Sequence, residues 1–148
     1  MSLEQNIMAG MKDAMKAKDE STLRGLRAIK AALLLLKTSG ADQITPEDEL
    51  KMLQKLVKQR QDSLELYTQH NRADLALKEE EEIRVIEQFL PQQLSAEDLK
   101  EALIPIIAEV GAAGVQDLGK VMAVASKKLA GQADGKAISA CVKELLSA

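Results

Sequence analysis

Thr45-Pro46-Glu47-Asp48, with Leu50, Leu53, Val57, Leu64 and Tyr67 strung out behind it, is the stretch on which the fold turns. The threonine hydroxyl is a capping group, the proline lacks a donor that the first helical position does not need, and the acids favour the positive end of a helix. The apolar positions follow at a period near 3.5, the seam of an antiparallel helical hairpin or a short coiled coil. Arg60 interrupts that seam, so its guanidinium must reach water or pair with a carboxylate such as Asp62 or one on a neighbouring helix.

Upstream, Leu3, Ile7, Met8, Met11, Ala14 and Met15 recur at helical spacing, and Asp19 or Ser21 offers a cap for a second helix. That helix carries Leu23, Leu26, Ile29, Leu33 and Leu36 on one stripe and closes at Gly40. Leu34 and Leu35 widen the stripe, which predicts cover on more than one side. The methionines at helical spacing are expected to fill core. Downstream of a break at His70-Asn71, a fourth helix presents Leu75, Ile83, Ile86, Phe89 and Leu90 and is expected to stop at Pro91. Ser95-Ala96-Glu97-Asp98 resembles a capping box for a helix through Leu99, Leu103, Ile106 and Val110, with a kink expected at Pro105. A further helix is expected from about Val115 to Leu129, and a last one after the cap Asp134. No stretch alternates with period two over the length of a strand. The reading is all-α: an N-terminal four-helix domain over residues 1–92, then a small C-terminal three-helix bundle over residues 93–148.

Composition agrees and narrows the function. A chain of 148 residues with 46% hydrophobic and 29% charged content buries a core without a disulfide or a metal. Tyr67 and Phe89 are the only aromatic residues, which all but removes recognition by stacking bases or sugars on rings. The net charge of −3 supports neither a strongly basic nor a strongly acidic surface overall. The lone Cys141 has no internal disulfide partner and shares a face with Ile138, Val142 and Leu145, as a small core residue would. Met1-Ser2-Leu3-Glu4-Gln5 lacks the pattern of an export signal, and the apolar run Ala31 to Leu36 is far shorter than a membrane span, so the expectation is a cytoplasmic protein with no membrane partner.

Three constellations invite chemistry. Gly114-Val115-Gln116-Asp117-Leu118-Gly119-Lys120-Val121 nearly spells a phosphate-binding loop, but Val121 replaces the hydroxyl that would hold Mg²⁺ and no strand precedes it. The acidic run Glu79 to Glu82 reads as a solvated face, because His70 is the sole histidine and lies nine residues back. Neither points to a catalytic residue, a metal or a cofactor. The third is electrostatic: from Gly119 onward Lys120, Lys127, Lys128, Lys136 and Lys143 face only Asp134 and Glu144. The first thirty-seven residues carry the same excess, seven bases against four acids. The C-terminal set differs in its company of glycine turns and helix starts, where backbone N–H groups can meet phosphate beside lysines. Gly119, Lys120, Lys127, Lys128, Gly131, Gly135 and Lys136 are therefore the candidate nucleic-acid-binding residues.

Five motifs stand in order along the chain: Lys58-Gln59-Arg60-Gln61-Asp62-Ser63, Arg72-Ala73-Asp74-Leu75, Leu90-Pro91-Gln92-Gln93-Leu94-Ser95, Asp117-Leu118-Gly119-Lys120-Val121-Met122 and Gly131-Gln132-Ala133-Asp134-Gly135. Together they resemble the YqeY family over nearly the whole chain. The C-terminal half is also similar to the tail domain of GatB, the tRNA-handling subunit of the glutamyl/aspartyl-tRNA amidotransferase. The resemblance implies an all-helical protein that binds tRNA or works beside amidotransfer, and it brings a family label of carbon–nitrogen ligase with glutamine as amide donor. It does not carry catalysis across, since the amidase serine and lysine belong to a different subunit. Asn71 stands where glycine is usual, and Asn tolerates left-handed backbone. Gln132 stands where a basic residue is frequent, which removes one phosphate contact. The function expected is a tRNA-binding accessory module. The alternative is a helical adaptor that grips a protein partner through its N-terminal methionine and leucine stripes, marked by an exposed apolar patch.

Overall fold

The computed structural model describes residues 2–40 and 43–147. Among these, the elements are α1 (Leu3–Ala17), α2 (Glu20–Thr38), α3 (Pro46–Gln69), α4 (Ala73–Glu87), α5 (Ala96–Val110), a 3-10 turn (Val115–Asp117), α6 (Leu118–Lys128) and α7 (Gly135–Ser147), with no strand. The fold is all-α. Local chemistry sets the helix starts. Asp19 Oδ1 accepts from Thr22 N at 3.2 Å, Ser95 Oγ from Asp98 N at 3.1 Å and Asp134 Oδ1 from Ala137 N at 2.7 Å. Thr45 and Asp48 bond reciprocally, each side chain accepting from the other's backbone N–H, at 3.1 and 3.0 Å. Hydrogen bonds from Thr22 and Thr45 hold the Asp19 and Asp48 carboxyls below the usual carboxylate range.

Two boundaries differ from expectation. α4 ends at Glu87, and the chain steps through two tighter i→i+3 bonds, Phe89 N donating to Ile86 O and Leu90 N to Glu87 O, before Pro91. α6 begins at Leu118 and not at Val115, because the Asp117 carboxylate accepts from Ala113 N at 2.9 Å and tightens the preceding residues into a 3-10 turn. Asn71 has φ +55°, the left-handed conformation its amide tolerates.

The chain forms two units, Met1–Leu90 and Pro91–Ala148. In the first, α3 and α4 pack as a hairpin, while α2 lies against both α1 and α4. Ile7, Ile29, Leu53 and Ile86 are its fully buried anchors, each contributing about 1.5–3 kcal/mol by leaving water. α2 meets α4 closely because Gly25 has no side chain: a Cβ there would sit 2.7 Å from the Cβ of Val85. In the second unit Leu103 of α5, Val121 of α6 and Val142 of α7 are fully buried around one core. Pro105 lies inside α5, which continues to Val110. Among the described residues no single helix is long and apolar enough to cross a membrane.

Three expectations about side chains are corrected. The acidic run is not simply a solvated face: Glu79, Glu81 and Glu82 are half-buried. Arg24 Nη2 donates to Glu81 Oε2 at 2.8 Å, and Glu82 lies 3.9 Å from both Arg24 Nε and Arg60 Nε, so the guanidinium in the seam meets a carboxylate of the neighbouring helix. Arg60 Nη1 also donates to Leu56 O at 3.1 Å. Burial, with Glu82 next, pushes the Glu79 carboxyl up. Secondly, Leu34 and Leu35 are 61% and 71% exposed, so that edge of α2 has no second cover within the unit. Thirdly, Met8 and Met15 are more than half exposed, and only Met11 of the three packs against the core.

The Arg24–Glu82–Arg60 clasp ties α2, α3 and α4 together. Glu82→Ala removes the one carboxylate within 4 Å of Arg60 among the described residues and leaves Arg24 with Glu81 alone, and is expected to lower stability by about 1–3 kcal/mol, read as a shift in the urea midpoint at constant slope.

Candidate nucleic-acid interface

The candidate residues lie on α6, α7 and the loop between them. A helix repeats its facing every seven residues, so Lys120 and Lys127 share one exposed flank of α6 and Lys136 and Lys143 one exposed flank of α7. Each pair spans about 10 Å along its axis. Val121 and Ala125 of α6, and Ile138 and Val142 of α7, are turned to the core. The amphipathic pattern thus holds these four lysines at the surface by burying the opposite face of each helix.

Their electrostatic surroundings differ. Lys128 Nζ donates to Glu109 Oε2 of α5 at 2.7 Å, and Lys120 Nζ lies 3.7 Å from Asp117 Oδ1. Lys127, Lys136 and Lys143 form no ion pair among the described residues. The rest of the unit opposes them in sign: Glu97, Asp98, Glu101 and Glu109 all lie on α5, with Lys100 as that helix's one base.

The glycines separate by role. Gly119 and Gly135 are exposed at the first turns of α6 and α7, and an added Cβ would meet nothing within 4 Å. Gly131 is buried with φ +78°, where a left-handed turn favours glycine, and its carbonyl accepts from Gln93 Nε2 at 2.6 Å. Leu94 N donates to Gln132 O at 3.0 Å, so two of the sequence motifs are stitched to each other here.

The helix starts are less open to phosphate than their sequence suggests. Asp134 takes the Ala137 N–H at the head of α7. At the head of α6 stands the Asp117 carboxylate, held below the usual range chiefly by the Ala113 N–H and also by Lys120. What the candidate residues offer an anion is therefore ammonium groups and not helix-terminal amides. Its Lys128–Glu109 pair joins residues nineteen apart on different helices, which no local pattern reveals.

Beside these helices, α5 and α7 border an open groove of about 580 Å³ lined by Leu94, Lys100, Ala137, Cys141 and Glu144. Burial pushes the Cys141 thiol up, with Glu144 adding to the shift and Lys100 opposing it. The thiolate is the reactive form, so Cys141 is expected to be alkylated by iodoacetamide more slowly in the folded chain than in urea at neutral pH. Equal rates would contradict this environment. Among the described residues no group of three His, Cys, Asp or Glu side chains is placed to hold a metal ion.

A family model described as Yqey-like protein matches residues 4–146, nearly the whole chain. The chain belongs to this family. The YqeY-like chain is 30% identical over 94 residues to an uncharacterised protein of Schizosaccharomyces pombe, covering 64% of this chain and 76% of that protein. It is 36% identical over 91 residues to the mitochondrial protein altered inheritance of mitochondria 41 of Lachancea thermotolerans, covering 59% and 47%. The protein of that name from Vanderwaltozyma polyspora is 35% identical over 108 residues, covering 62% and 57%. The YqeY-like chain thus spans about half the length of these last two relatives.

Proposed function

We propose that this YqeY-like chain binds tRNA through α6 and α7, as an accessory to amidotransfer or related tRNA chemistry carried out by other proteins. The observation that supports this is the exposure of Lys127, Lys136 and Lys143 on two helix flanks, none of them in an ion pair among the described residues. With one tyrosine and one phenylalanine in the whole chain, such binding reads the phosphate backbone and the shape of the RNA, not its bases. The tRNA would be met in the cytoplasm. The relatives from Lachancea thermotolerans and Vanderwaltozyma polyspora are by name mitochondrial.

A filter-binding titration with bulk tRNA at several salt concentrations tests it. Three neutralised phosphates give a slope of log K against log salt of about −2 to −2.7. Glu109→Gln releases Lys128 from its carboxylate and is expected to steepen the slope toward four phosphates, a change of roughly 0.7–0.9. No binding, or a slope indifferent to Glu109, would overturn the reading.

A second reading, the helical adaptor, is favoured by a separate observation: Leu34 and Leu35 stand adjacent and largely exposed on α2. The two readings concern different units, and one chain can serve both.

A further inference from the structure

On the side of α2 that carries Leu35, α2 and α3 part to leave an open groove of about 550 Å³. Its apolar surface comes from Ala32, Leu35 and Leu36 of α2 with Met52 and Leu56 of α3. Leu36, Met52 and Leu56 are half-buried, whereas Leu35 is 71% exposed, so the groove is a finished surface on one side and an unfinished one on the other. Lys51 and Lys55 line it on the α3 side, and Lys58 extends that edge by one turn, since i, i+4 and i+7 share a helix face. The single carboxylate in the lining, Asp48, already accepts from Thr45 N at 3.0 Å and faces Lys51. Lys55 and Lys58 have no ion pair among the described residues.

We infer that this groove docks an amphipathic helix of a partner protein, one with an apolar stripe flanked by acidic residues. The inference rests on the adaptor reading and gives it a place and a chemistry. A helix in a groove is read by anchors at i, i+3 or i+4, and i+7, and the stretch from Ala32 to Ser39 along α2 offers room for two such turns, about 10 Å. The small side chain of Ala32 lets a partner backbone approach, while Leu35 supplies the exposed apolar edge that docking would cover. Charge selects the occupant. The lysine edge attracts carboxylates on the partner's flank and disfavours a basic one. It also disfavours a second copy of this chain, because two copies meeting groove to groove present the same lysines to each other.

The probe is a display library of helices of about twenty residues with leucine at the anchor positions and Glu or Lys drawn equally at the flanks, selected on the full chain. Retained sequences are expected to be rich in Glu. Their affinity is expected to fall about ten-fold with Lys55→Glu plus Lys58→Glu, and by at least as much with Leu35→Asp. All three positions are exposed, and unchanged circular dichroism confirms that the variants fold. Retained flanks that are random or lysine-rich, or binding indifferent to Leu35→Asp, would overturn the groove. Binders that depend instead on Leu34 or Met8 would remove this groove and leave the adaptor reading standing. An absence of binders would remove both. Self-association abolished by Leu35→Asp would assign the groove to a second copy and refute the proposal.

Discussion

Lys127→Ala, Lys136→Ala and Lys143→Ala combined in one chain are expected to make tRNA binding nearly independent of salt. In the unmodified chain, three released counterions correspond to an affinity loss of roughly twenty- to forty-fold between about 50 and 200 mM salt. The triple variant should lose less than about three-fold over the same range, with only the carboxylate-bound Lys120 and Lys128 left to contribute. Lys128→Ala alone should matter less than Lys127→Ala, although the two are adjacent, because Glu109 already holds the former. The substitutions lie on exposed faces of α6 and α7, and alanine favours helix, so thermal stability should hold or rise slightly. A triple variant with the salt dependence of the parent would remove these two helices from any RNA-binding account.

The largest effect on stability is expected at Gly25. Its missing side chain brings α2 against α4, and the nearest obstacle is the Cβ of Val85, an atom fixed by its own backbone and unable to swing aside. Gly25→Leu must therefore push two helices apart, with loss of packing around Ile29 and Ile86 on either side. A cost of about 3 kcal/mol or more follows, outweighing the roughly 1 kcal/mol that replacing glycine contributes to helix propensity. For a unit of this size that is a fall in Tm of roughly 12–24 °C. Gly119→Ala is the control, because a Cβ there meets open space. It should leave the melting curve in place or move it slightly upward. Equal behaviour of the two variants would mean that the helices do not meet as described.

What could be read in the sequence was mainly what depends on near neighbours. The caps at Asp19, Thr45, Ser95 and Asp134 each involve groups three residues apart, and each was predictable from residue type. So was the all-helical architecture, which follows from the spacing within each segment, as of Leu50, Leu53 and Val57 or of Leu99, Leu103 and Ile106. What escaped depends on distant residues. Arg24 and Glu81 are 57 positions apart, so the acidic run looked solvated until the fold brought α2 beside α4. The exposure of Leu35 is likewise a statement about which helix does not cover it, and hydrophobicity alone argued the opposite. The five motifs that carry the family resemblance have physical tasks in the fold. Arg60 meets Glu82, Arg72 meets Asp74 through two bonds, Gln93 secures Gly131, Asp117 closes a turn and Asp134 starts α7. Of the candidate site, Gly131 is committed to that framework, while Lys127 and Lys136 have no comparable structural employment.

The division of charge between α5 and the pair α6–α7 has a consequence for how the C-terminal unit meets anything highly charged. With most of its acids on α5, and with Lys127 of α6 and Lys136 and Lys143 of α7 in no ion pair among the described residues, the unit carries an electric asymmetry despite its near-zero net charge. Nearing a polyanion, it experiences a torque before it experiences a contact, and swings its amine side forward. On the proposed RNA binding, encounters that begin on α5 would be disfavoured, so the sorting of productive from unproductive collisions would start several ångströms out and fade as added salt shortens the reach of the field.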